Sequence, residues 1–444
     1  MVAFSQLGLD ADVTARNAMA VDGSSNVYLT GSGTAGSAGT DWLTIKYNAS
    51  GVEQWRAILN GRGNNTTTDD ARNIMLGPDG NPVVVGSSSL LATGGRRCTA
   101  VKYDAATGKE LWRYWPSLLA ATPAWSESLC FGMAIDLAGN VLMVGRTREQ
   151  FNFGNADIYV AKISATGSLL WHQTLANGAY APGIVAPNTI SAGSDDLAAF
   201  VTVDSSNNVY VAGRTQEGAT NYVWAIFKIA ESGGTPIWRS NLGGVGDSRT
   251  RGIAVNIGAT QVAVFGTRES RPGYGLLDAS SGAVIADVIL GAVNSTGFLA
   301  DVAYLGTDVV LAGYELLTGG AEGQVLVSRA HATGSVWNSV KTNGVGTSSF
   351  ATALVVSGTE IAVSGSVGTG TDLDIYSLRV DASLGTPVGA PVTYQGPGSA
   401  RDYGSTIKSD GAGGFFVAGT MTNNTTPQRN TMGVVRYSSA LAQL

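Results

Sequence analysis

The chain has 444 residues, of which 60 are glycine and only 14% are charged, and its formal net charge at pH 7 is -6. Nucleic-acid binding needs a clustered excess of Lys and Arg, and a membrane-spanning helix needs about 18 consecutive apolar residues, so the composition argues against both roles. Short runs of Val, Ile, Tyr and Trp between Gly, Ser, Thr and Asn favour an all-β structure.

The N-terminal segment contains an isolated strand pattern, VAFSQLG, within residues 1–8. Met1 to Asn17 has no basic stretch followed by an apolar core, so no secretory signal is recognisable. Two interpretations stay open at this point: the protein is intracellular, or a leader has been removed.

A repeated unit begins at Ala18 and reads AMAVDGSSNVYLTGSG, a loop, and DWLTIKYNASGVEQWRAILNG. It consists of a turn, an apolar strand that ends in Gly, another strand, a second turn that ends in Gly, and a strand that carries Trp. Copies two to four contain PDGNPVVVGSSS, DLAGNVLMVGRTRE and DSSNNVYVAGRTQE, and four weaker copies follow. The glycines that close the second strand are Gly31, Gly86, Gly145, Gly213, Gly266, Gly313, Gly365 and Gly419.

These glycines lie 47 to 68 residues apart, which is the length of a four-stranded propeller blade with variable loops. The sequence therefore predicts one domain over residues 1–444, an eight-bladed β-propeller with four-stranded antiparallel blades. The last copy lacks its Trp-bearing strand, so residues 1–8 are predicted to complete it, with Phe4 in the position of Trp55. The predicted blades span approximately 18–61, 70–117, 128–178, 196–244, 248–292, 298–344, 349–396 and 402–444 plus 1–8.

Copies two and three hold the only two cysteines, Cys98 and Cys130, whose spacing fits neither a zinc site nor a redox pair. They are either buried structural thiols or one disulfide between adjacent blades, and a disulfide indicates an oxidising compartment. The chain has only two histidines, which argues against a His-based metal centre. We predict no cofactor and keep Ca²⁺ as an alternative.

Two long connectors flank the third copy, Pro116 to Ser128 and Asn177 to Asp195, and Trp125 and Tyr180 lie within them. In a propeller, connectors between blades lie on the face where each innermost strand begins, here called the top face. Long connectors rich in apolar residues are often functional. The top face is therefore the predicted location of a site.

Charged residues gather at the same face in copies three to five. Guanidinium groups that converge on one rim suit a carboxylate, sulfate or phosphate group, whereas the alternative is that they brace neighbouring blades through ion pairs. The candidate ligand-binding residues are Arg146, Arg148, Glu149, Arg214, Glu217, Arg249, Arg251, Arg268, Trp125 and Tyr180.

Two further residue sets recur with the repeat. Acids at the start of the inner strands are predicted to accept hydrogen bonds from backbone amides, with a Ca²⁺ site as the alternative. These acids are Asp70, Glu127, Asp196, Asp247 and Asp402. The recurring tryptophans of the outer strands are predicted to pack between blades. These are Trp55, Trp112, Trp171, Trp238 and Trp337.

The copies resemble the bacterial SBBP-type β-propeller repeat, which has the same turn, strand and glycine pattern followed by Tyr and Trp. The resemblance covers most of the chain and implies a propeller of a surface or secreted protein, without an activity. Tyr103 to Tyr114, YDAATGKELWRY, is also similar to the Trp-docking repeat of pyrroloquinoline-quinone dehydrogenases, within one blade.

The favoured hypothesis is an extracellular, cell-surface or periplasmic binding module, expected to be monomeric. It would hold a carbohydrate, an anionic small molecule or a partner protein on the top face over blades three to five. One alternative is a hydrolase or lyase at the mouth of the central channel, with Glu149 or Glu217 as acid or base beside an arginine. The other alternative is an extracellular structural scaffold.

Overall fold

The computed structural model describes most of the chain. The described residues are 10–12, 18–34, 39–61, 68–89, 96–116, 125–149, 156–175, 197–217, 221–243, 248–317, 323–331, 334–341, 348–369, 372–396, 401–422, 430–439 and 441–442.

The described residues form eight antiparallel sheets in chain order, without a helix, so the predicted eight-bladed β-propeller is confirmed. Nothing in these residues provides the long apolar helix that crossing a membrane would require. The strands of blades one to four are β1 (Asp10–Asp12), β2 (Met19–Val21), β3 (Val27–Thr34), β4 (Asp41–Tyr47), β5 (Glu53–Leu59); β6 (Asp70–Leu76), β7 (Pro82–Ser88), β8 (Arg97–Tyr103), β9 (Glu110–Tyr114); β10 (Trp125–Ile135), β11 (Val141–Glu149), β12 (Ala156–Ile163), β13 (Leu169–Leu175); β14 (Leu197–Val203), β15 (Val209–Glu217), β16 (Asn221–Ile229) and β17 (Trp238–Leu242). The strands of blades five to eight are β18 (Arg249–Val255), β19 (Gln261–Arg268), β20 (Arg271–Asp278), β21 (Val284–Ile289); β22 (Thr296–Leu305), β23 (Asp308–Leu316), β24 (Gly323–His331), β25 (Gly334–Lys341); β26 (Ser348–Ser357), β27 (Glu360–Thr369), β28 (Asp372–Asp381), β29 (Val392–Tyr394); β30 (Tyr403–Ser409), β31 (Phe415–Thr422) and β32 (Asn430–Tyr437).

The first and last blades meet at the seam of the ring. In blade one, β1 and β2 both pair with β3, so its inner strand is in two pieces and begins upstream of residue 18. Blade eight has three strands in the described part of the chain. The strand predicted to complete it, residues 1–8, lies outside the described residues.

Hydrophobic packing closes the ring. Eight buried clusters each join one blade to the next, and one of them joins blade eight to blade one through Phe416, Val434, Leu29 and Leu43. Burying a side chain of this size stabilises the fold by about 1.5–3 kcal/mol. Ser25 Oγ also donates to the Asp410 carbonyl of blade eight at 3.2 Å.

The repeated glycine lies opposite a β-bulge. In blades two to eight, one residue of the inner strand pairs with this glycine. The next residue of the inner strand is an extra residue that has no partner in the ladder. The extra residues are Arg72, Phe131, Ala199, Arg251, Ala300, Thr352 and Ser405. At Gly86, Gly145 and Gly365, an added Cβ would lie well under 3.0 Å from a carbonyl oxygen of the inner strand. Only glycine lets the two strands approach this closely.

In the described residues, tryptophans of the outer strands join five of the blades to the next blade, which confirms their predicted packing role. Trp238 Nε1 donates to the Ala279 carbonyl of blade five at 3.1 Å, and the indole covers Gly282. Lys228 Nζ donates to the same carbonyl at 2.9 Å. Equivalent indole hydrogen bonds are those of Trp55, Trp112, Trp171 and Trp337 to the carbonyls of Ala105, Ala165, Glu231 and Ala382.

Cys98 and Cys130 form a disulfide, so the second of the two interpretations is confirmed. Cys98 lies on β8 of blade two and Cys130 on β10 of blade three, with their Cα atoms 4.9 Å apart. Both side chains are fully buried. The bond is therefore a covalent link between neighbouring blades, beside the bulge at Phe131.

Candidate functional site in the central channel

A cavity of about 390 Å³ lies on the propeller axis. The inner strands of blades two to eight supply its walls, mostly with bulge residues and the two residues that follow each bulge. Because each bulge sits opposite a repeated glycine, the pairing of that glycine with the inner strand also determines which residues reach the axis. The charged residues of the wall are Arg72, Arg251, Asp301 and Lys408.

Arg251 is the extra residue of the bulge in β18, and it is half-buried. Its guanidinium carbon lies 3.8 Å from the ring centre of Phe298 in blade six, a cation-π contact. Burial lowers the pKa of Arg251, and the charge of Arg249 lowers this pKa further. Two positive groups thus share this part of the channel mouth. An anion between them would offset the free-energy cost of burying a charge and the repulsion between the two guanidinium groups.

Arg72 is the corresponding bulge residue of β6. It forms an ion pair with Asp70 at 2.5 Å, and its guanidinium carbon lies 5.0 Å from the ring centre of Phe131 in blade three. Asn73 Nδ2 donates to the Phe131 carbonyl at 2.8 Å. Arg72 is therefore paired with an acid of its own strand and packs against blade three.

Polar contacts between inner strands fix the wall of the channel. Asp301 accepts a hydrogen bond from the backbone N–H of Leu354 at 2.9 Å, and Thr352 Oγ1 donates to the Gly404 carbonyl at 2.6 Å. The inner strand is the edge of its blade, so part of its backbone N–H and C=O groups point away from the sheet, and these side chains supply partners from the adjacent blade. The wall is thus preorganised, as a binding site requires.

Below the level of Arg251 the wall has one apolar layer. The residues two positions beyond each bulge lie at one depth around the axis, and in blades three to eight they are Met133, Val201, Ile253, Val302, Leu354 and Ile407. Lys408 lines the cavity one residue further along β30.

The predicted site residues fall into separate places. Arg251 lines the cavity, and the exposed Arg249 lies beside its mouth at the start of β18. Arg268 is buried in the gap between blades four and five, where it forms two hydrogen bonds with Asp287 at 2.5 and 2.9 Å and lies 4.9 Å from the Trp224 ring centre. Arg268 therefore links two strands of blade five through Asp287 and packs against Trp224 of blade four.

Arg214 lies in the same gap, with its guanidinium carbon 4.6 Å from the Tyr222 ring centre. Arg146 lies on the side of β11 that packs against blade four, beside Val144. Arg146 and Arg214 follow their glycines by one residue, but Arg268 follows Gly266 by two, and successive strand residues face opposite sides. The three arginines therefore lie in two different gaps and do not occupy matching positions.

The remaining predicted site residues are outside what the structure describes. Trp125, Arg148, Glu149 and Glu217 belong to β10, β11 and β15, but their side chains are not described. Tyr180 lies outside the described residues altogether. The roles predicted for these five residues stay predictions.

The predicted role of the acids at the start of the inner strands is confirmed in blade eight, whereas in blade two the residue that performs it is one position earlier than predicted. Asp402 accepts backbone hydrogen bonds from Gly396 and Thr422, which confirms its predicted structural role. Burial raises the pKa of Asp402, and these N–H groups oppose the shift. In blade two the equivalent acceptor is Asp69, which bonds the N–H groups of Gly61 and Ser89, whereas Asp70 pairs with Arg72.

Sequence reasoning missed the contribution of Arg72, Asp301 and Lys408 to the channel. All three follow the strand partner of the repeated glycine by no more than four residues, but that partner is known only once the strands are paired. Among the described residues, no group of three or more His, Cys, Asp or Glu side chains is arranged to hold a metal ion. The Ca²⁺ alternative thus has no ligand set in the described residues.

Comparisons with known proteins connect the chain to other propellers through its fold. No protein-family model matches the sequence, and no curated protein matches it. A quinohemoprotein alcohol dehydrogenase from Pseudomonas putida HK5 is similar in structure with a TM-score of 0.61 and 10% identity, over 100% of this chain and 76% of that chain. A quinohemoprotein alcohol dehydrogenase from Comamonas testosteroni has a TM-score of 0.57 and 11% identity, over 96% and 75% of the two chains. A europium-containing methanol dehydrogenase has a TM-score of 0.55 and 12% identity, over 95% and 84%.

These similarities establish the propeller fold, since identities of 10–12% do not carry an activity from one chain to another. The structural neighbours are quinoprotein dehydrogenase propellers, the group whose docking repeat is similar to residues 103–114. No comparison identifies the chain with the SBBP-type repeat, and that assignment stays a resemblance.

Proposed function

We propose that this protein is a binding propeller that holds an anionic ligand in the mouth of its central channel. The observation that carries the proposal is the position of Arg251 in the wall of an axial cavity, with the like charge of Arg249 beside it. A guanidinium group in a partly desolvated site binds carboxylate, sulfate or phosphate through charge-assisted hydrogen bonds. The favoured site thus moves from the rim of blades three to five to the axis.

The disulfide supports a location outside the reducing cytosol. Buried structural disulfides persist in secreted, surface and periplasmic proteins and are rare in the cytosol. Cys98–Cys130 links two blades and is fully buried, so its role is structural. We therefore propose that the protein works in an extracellular, cell-surface or periplasmic compartment.

The other two hypotheses have less support. The hydrolase or lyase depends on Glu149 or Glu217, whose side chains the structure does not describe. The scaffold hypothesis is supported by the Arg268 brace, which accounts for one arginine of the predicted set. It does not account for an axial cavity with cations in its wall.

The proposal can be tested by calorimetric titration with organic carboxylates and sulfate esters, each paired with its neutral amide or alcohol. We expect the wild-type protein to bind at least one anion and not its neutral partner. Arg251→Ala should weaken this binding by about tenfold or more, because one charge-assisted hydrogen bond contributes about 1.5–3 kcal/mol. Arg251→Lys should retain part of it.

The matched control is Arg113→Ala. Arg113 pairs with Glu110 on the outer strand of blade two, far from the axis, so its removal should leave binding unchanged. Thermal unfolding of each variant verifies that the fold is intact. Equal anion binding by Arg251→Ala and wild-type protein would refute the proposed site.

A further inference from the structure

The wall of the cavity presents charge at two depths with an apolar layer between them. Arg251 lies at the level of the bulge, and Lys408 lies three residues beyond the bulge residue Ser405 of its own strand. Strands rise about 3.3 Å per residue, so the two levels are about 10 Å apart along the axis. The two residues belong to blades five and eight, which lie apart in the ring.

The intervening layer offers no hydrogen bonds from its side chains. Ile253, Val302 and Leu354 stand two residues beyond their bulges, between the levels of Arg251 and Lys408. Ile253 and Val302 are half-buried, so part of their apolar surface faces the cavity. A ligand segment in contact with this layer gains from being apolar, whereas a hydroxyl group placed there would lose its hydrogen bonds to water.

We propose that the ligand is an elongated organic dianion whose two acidic groups are separated by an apolar segment. This inference rests on the proposed function and specifies the ligand class of the same site. One acidic group meets Arg251 at the mouth, the apolar segment crosses the layer of Ile253, Val302 and Leu354, and the second acidic group meets Lys408. A small inorganic anion reaches only one of the two cations. A polyhydroxylated sugar acid would place hydroxyl groups against the apolar layer, where they lose their hydrogen bonds to water.

Lys408 is suited to the deeper role by its placement. It lines the cavity and is half-buried, opposite Phe416 in the ladder of blade eight. Its ammonium is a compact charge with rotatable donors, which suits one carboxylate at the end of a chain. The carboxylate of Asp301 belongs to the upper polar level and accepts the Leu354 N–H, so it lies nearer to the first acidic group than to the second.

The experiment compares the linear dicarboxylates from succinate to sebacate with the monocarboxylates of equal chain length, by calorimetric titration of the full chain. We expect a dicarboxylate of intermediate length to bind about tenfold more tightly than its matched monocarboxylate. Lys408→Met should abolish this advantage, so that each dicarboxylate binds no more tightly than its matched monocarboxylate, because Met retains the apolar stem and loses the charge. Lys109→Met is the control, since Lys109 lies exposed in a turn on the opposite face of blade two.

The outcomes separate this inference from the proposed function. If monocarboxylates bind through Arg251 but dicarboxylates bind no better at any length, the dianion is refuted and the anion site stands. The same conclusion follows if the dicarboxylate advantage survives in Lys408→Met. If neither series binds to the wild-type protein and sulfate esters also fail, the proposed function fails with it. Leu354→Asn gives a second readout: it should weaken long dicarboxylates more than succinate.

Discussion

At the scale of single residues, the repeated glycine and the bulge opposite it explain the position of the channel wall. The glycine permits an inner strand to carry one extra residue, because its missing Cβ leaves room for the carbonyl of that strand. The bulge then turns residues such as Arg72 and Arg251 toward the axis. A pattern that serves the backbone therefore also places the candidate ligand-binding side chains.

Gly365→Ala should destabilise the protein by about 3 kcal/mol, since overpacking a dense site forces backbone shifts. The new Cβ would collide with the carbonyl oxygen of Phe350 and with Ala351. Urea unfolding measures the change. Gly23→Ala is the control, because nothing lies within 4 Å of its added Cβ. Equal unfolding midpoints for the two variants would show that the bulge can relax around a methyl group.

Aspartates in the turns after the inner strands make stability depend on pH. Burial opposes ionisation of Asp136, but hydrogen bonds from Asn140 and Lys162 outweigh it, so the pKa of Asp136 is lowered from 3.8. A carboxyl group with a lowered pKa stabilises the fold above its unfolded pKa and loses this contribution as the pH falls through the folded value. The free energy of unfolding should therefore fall as the solution is acidified below about pH 4.

Asp136→Asn tests this contribution. At pH 7 we expect the variant to be less stable by about 1–2 kcal/mol, with the difference shrinking below pH 4, because protonated Asp and Asn are both neutral. Blade five already has Asn256 in the equivalent turn, where it accepts the N–H groups of Thr260 and Gln261. The variant should thus fold normally. A difference that stays constant from pH 7 to pH 3 would exclude titration of Asp136 as its origin.

At the scale of elements, the outer strand of one blade is attached to the turn of the next. Trp238 covers Gly282, and both Trp238 and Lys228 donate to the Ala279 carbonyl. The same arrangement at four other junctions explains why Trp recurs although the outer strands face solvent on one side. Blade order is thereby maintained by contacts between consecutive repeats.

Replacing Trp238 separates the packing and hydrogen-bonding parts of this junction. Trp238→Phe keeps a ring over Gly282 and loses the N–H donor, which should cost about 1 kcal/mol of unfolding free energy. Trp238→Ala should cost about 3–5 kcal/mol, because it also leaves a cavity between blades four and five. Trp115→Phe is the control, since Trp115 is 43% exposed. Equal losses in Trp238→Phe and Trp115→Phe would mean that the indole hydrogen bond contributes nothing.

At the scale of the whole molecule, the ring is closed by packing at all eight interfaces and carries one covalent link. The packed interfaces include that of blade eight with blade one, so every blade has two neighbours. The disulfide reinforces the interface of blades two and three, next to the cavity wall at Phe131. The site thus depends on an intact ring, because residues of seven blades form its wall.

Removing the disulfide should destabilise the protein without opening the ring. Cys98→Ala combined with Cys130→Ala should lower the free energy of unfolding by about 3–4 kcal/mol, as expected for a bond that closes a loop of this length. Thermal unfolding with and without a phosphine reductant measures the effect. Reductant should lower the melting temperature of the wild-type protein and not that of the double variant. An equal response in both would contradict a role of the bond in stability.

Much of the fold could be predicted from the amino-acid sequence because the repeat is local. Gly86, Gly145 and the other repeated glycines recur at the spacing of one blade, and Trp55 and its equivalents stand at the same place in their copies. The turns between the strands are rich in Gly and Asn. These features depend on neighbours within about one blade length. The blade number and the packing role of the tryptophans therefore followed from spacing alone.

The candidate site required the folded ring, for two physical reasons. A bulge inserts one residue and shifts the alternation of side chains, so counting from the glycine could not show that Arg268 faces blade four while Arg251 reaches the axis. Residues far apart in the chain, such as Arg251 and Lys408, also line one cavity only because the inner strands of seven blades surround a common axis. The linear sequence has no local feature that records this convergence, and it also left open whether Cys98 and Cys130 are bonded to each other.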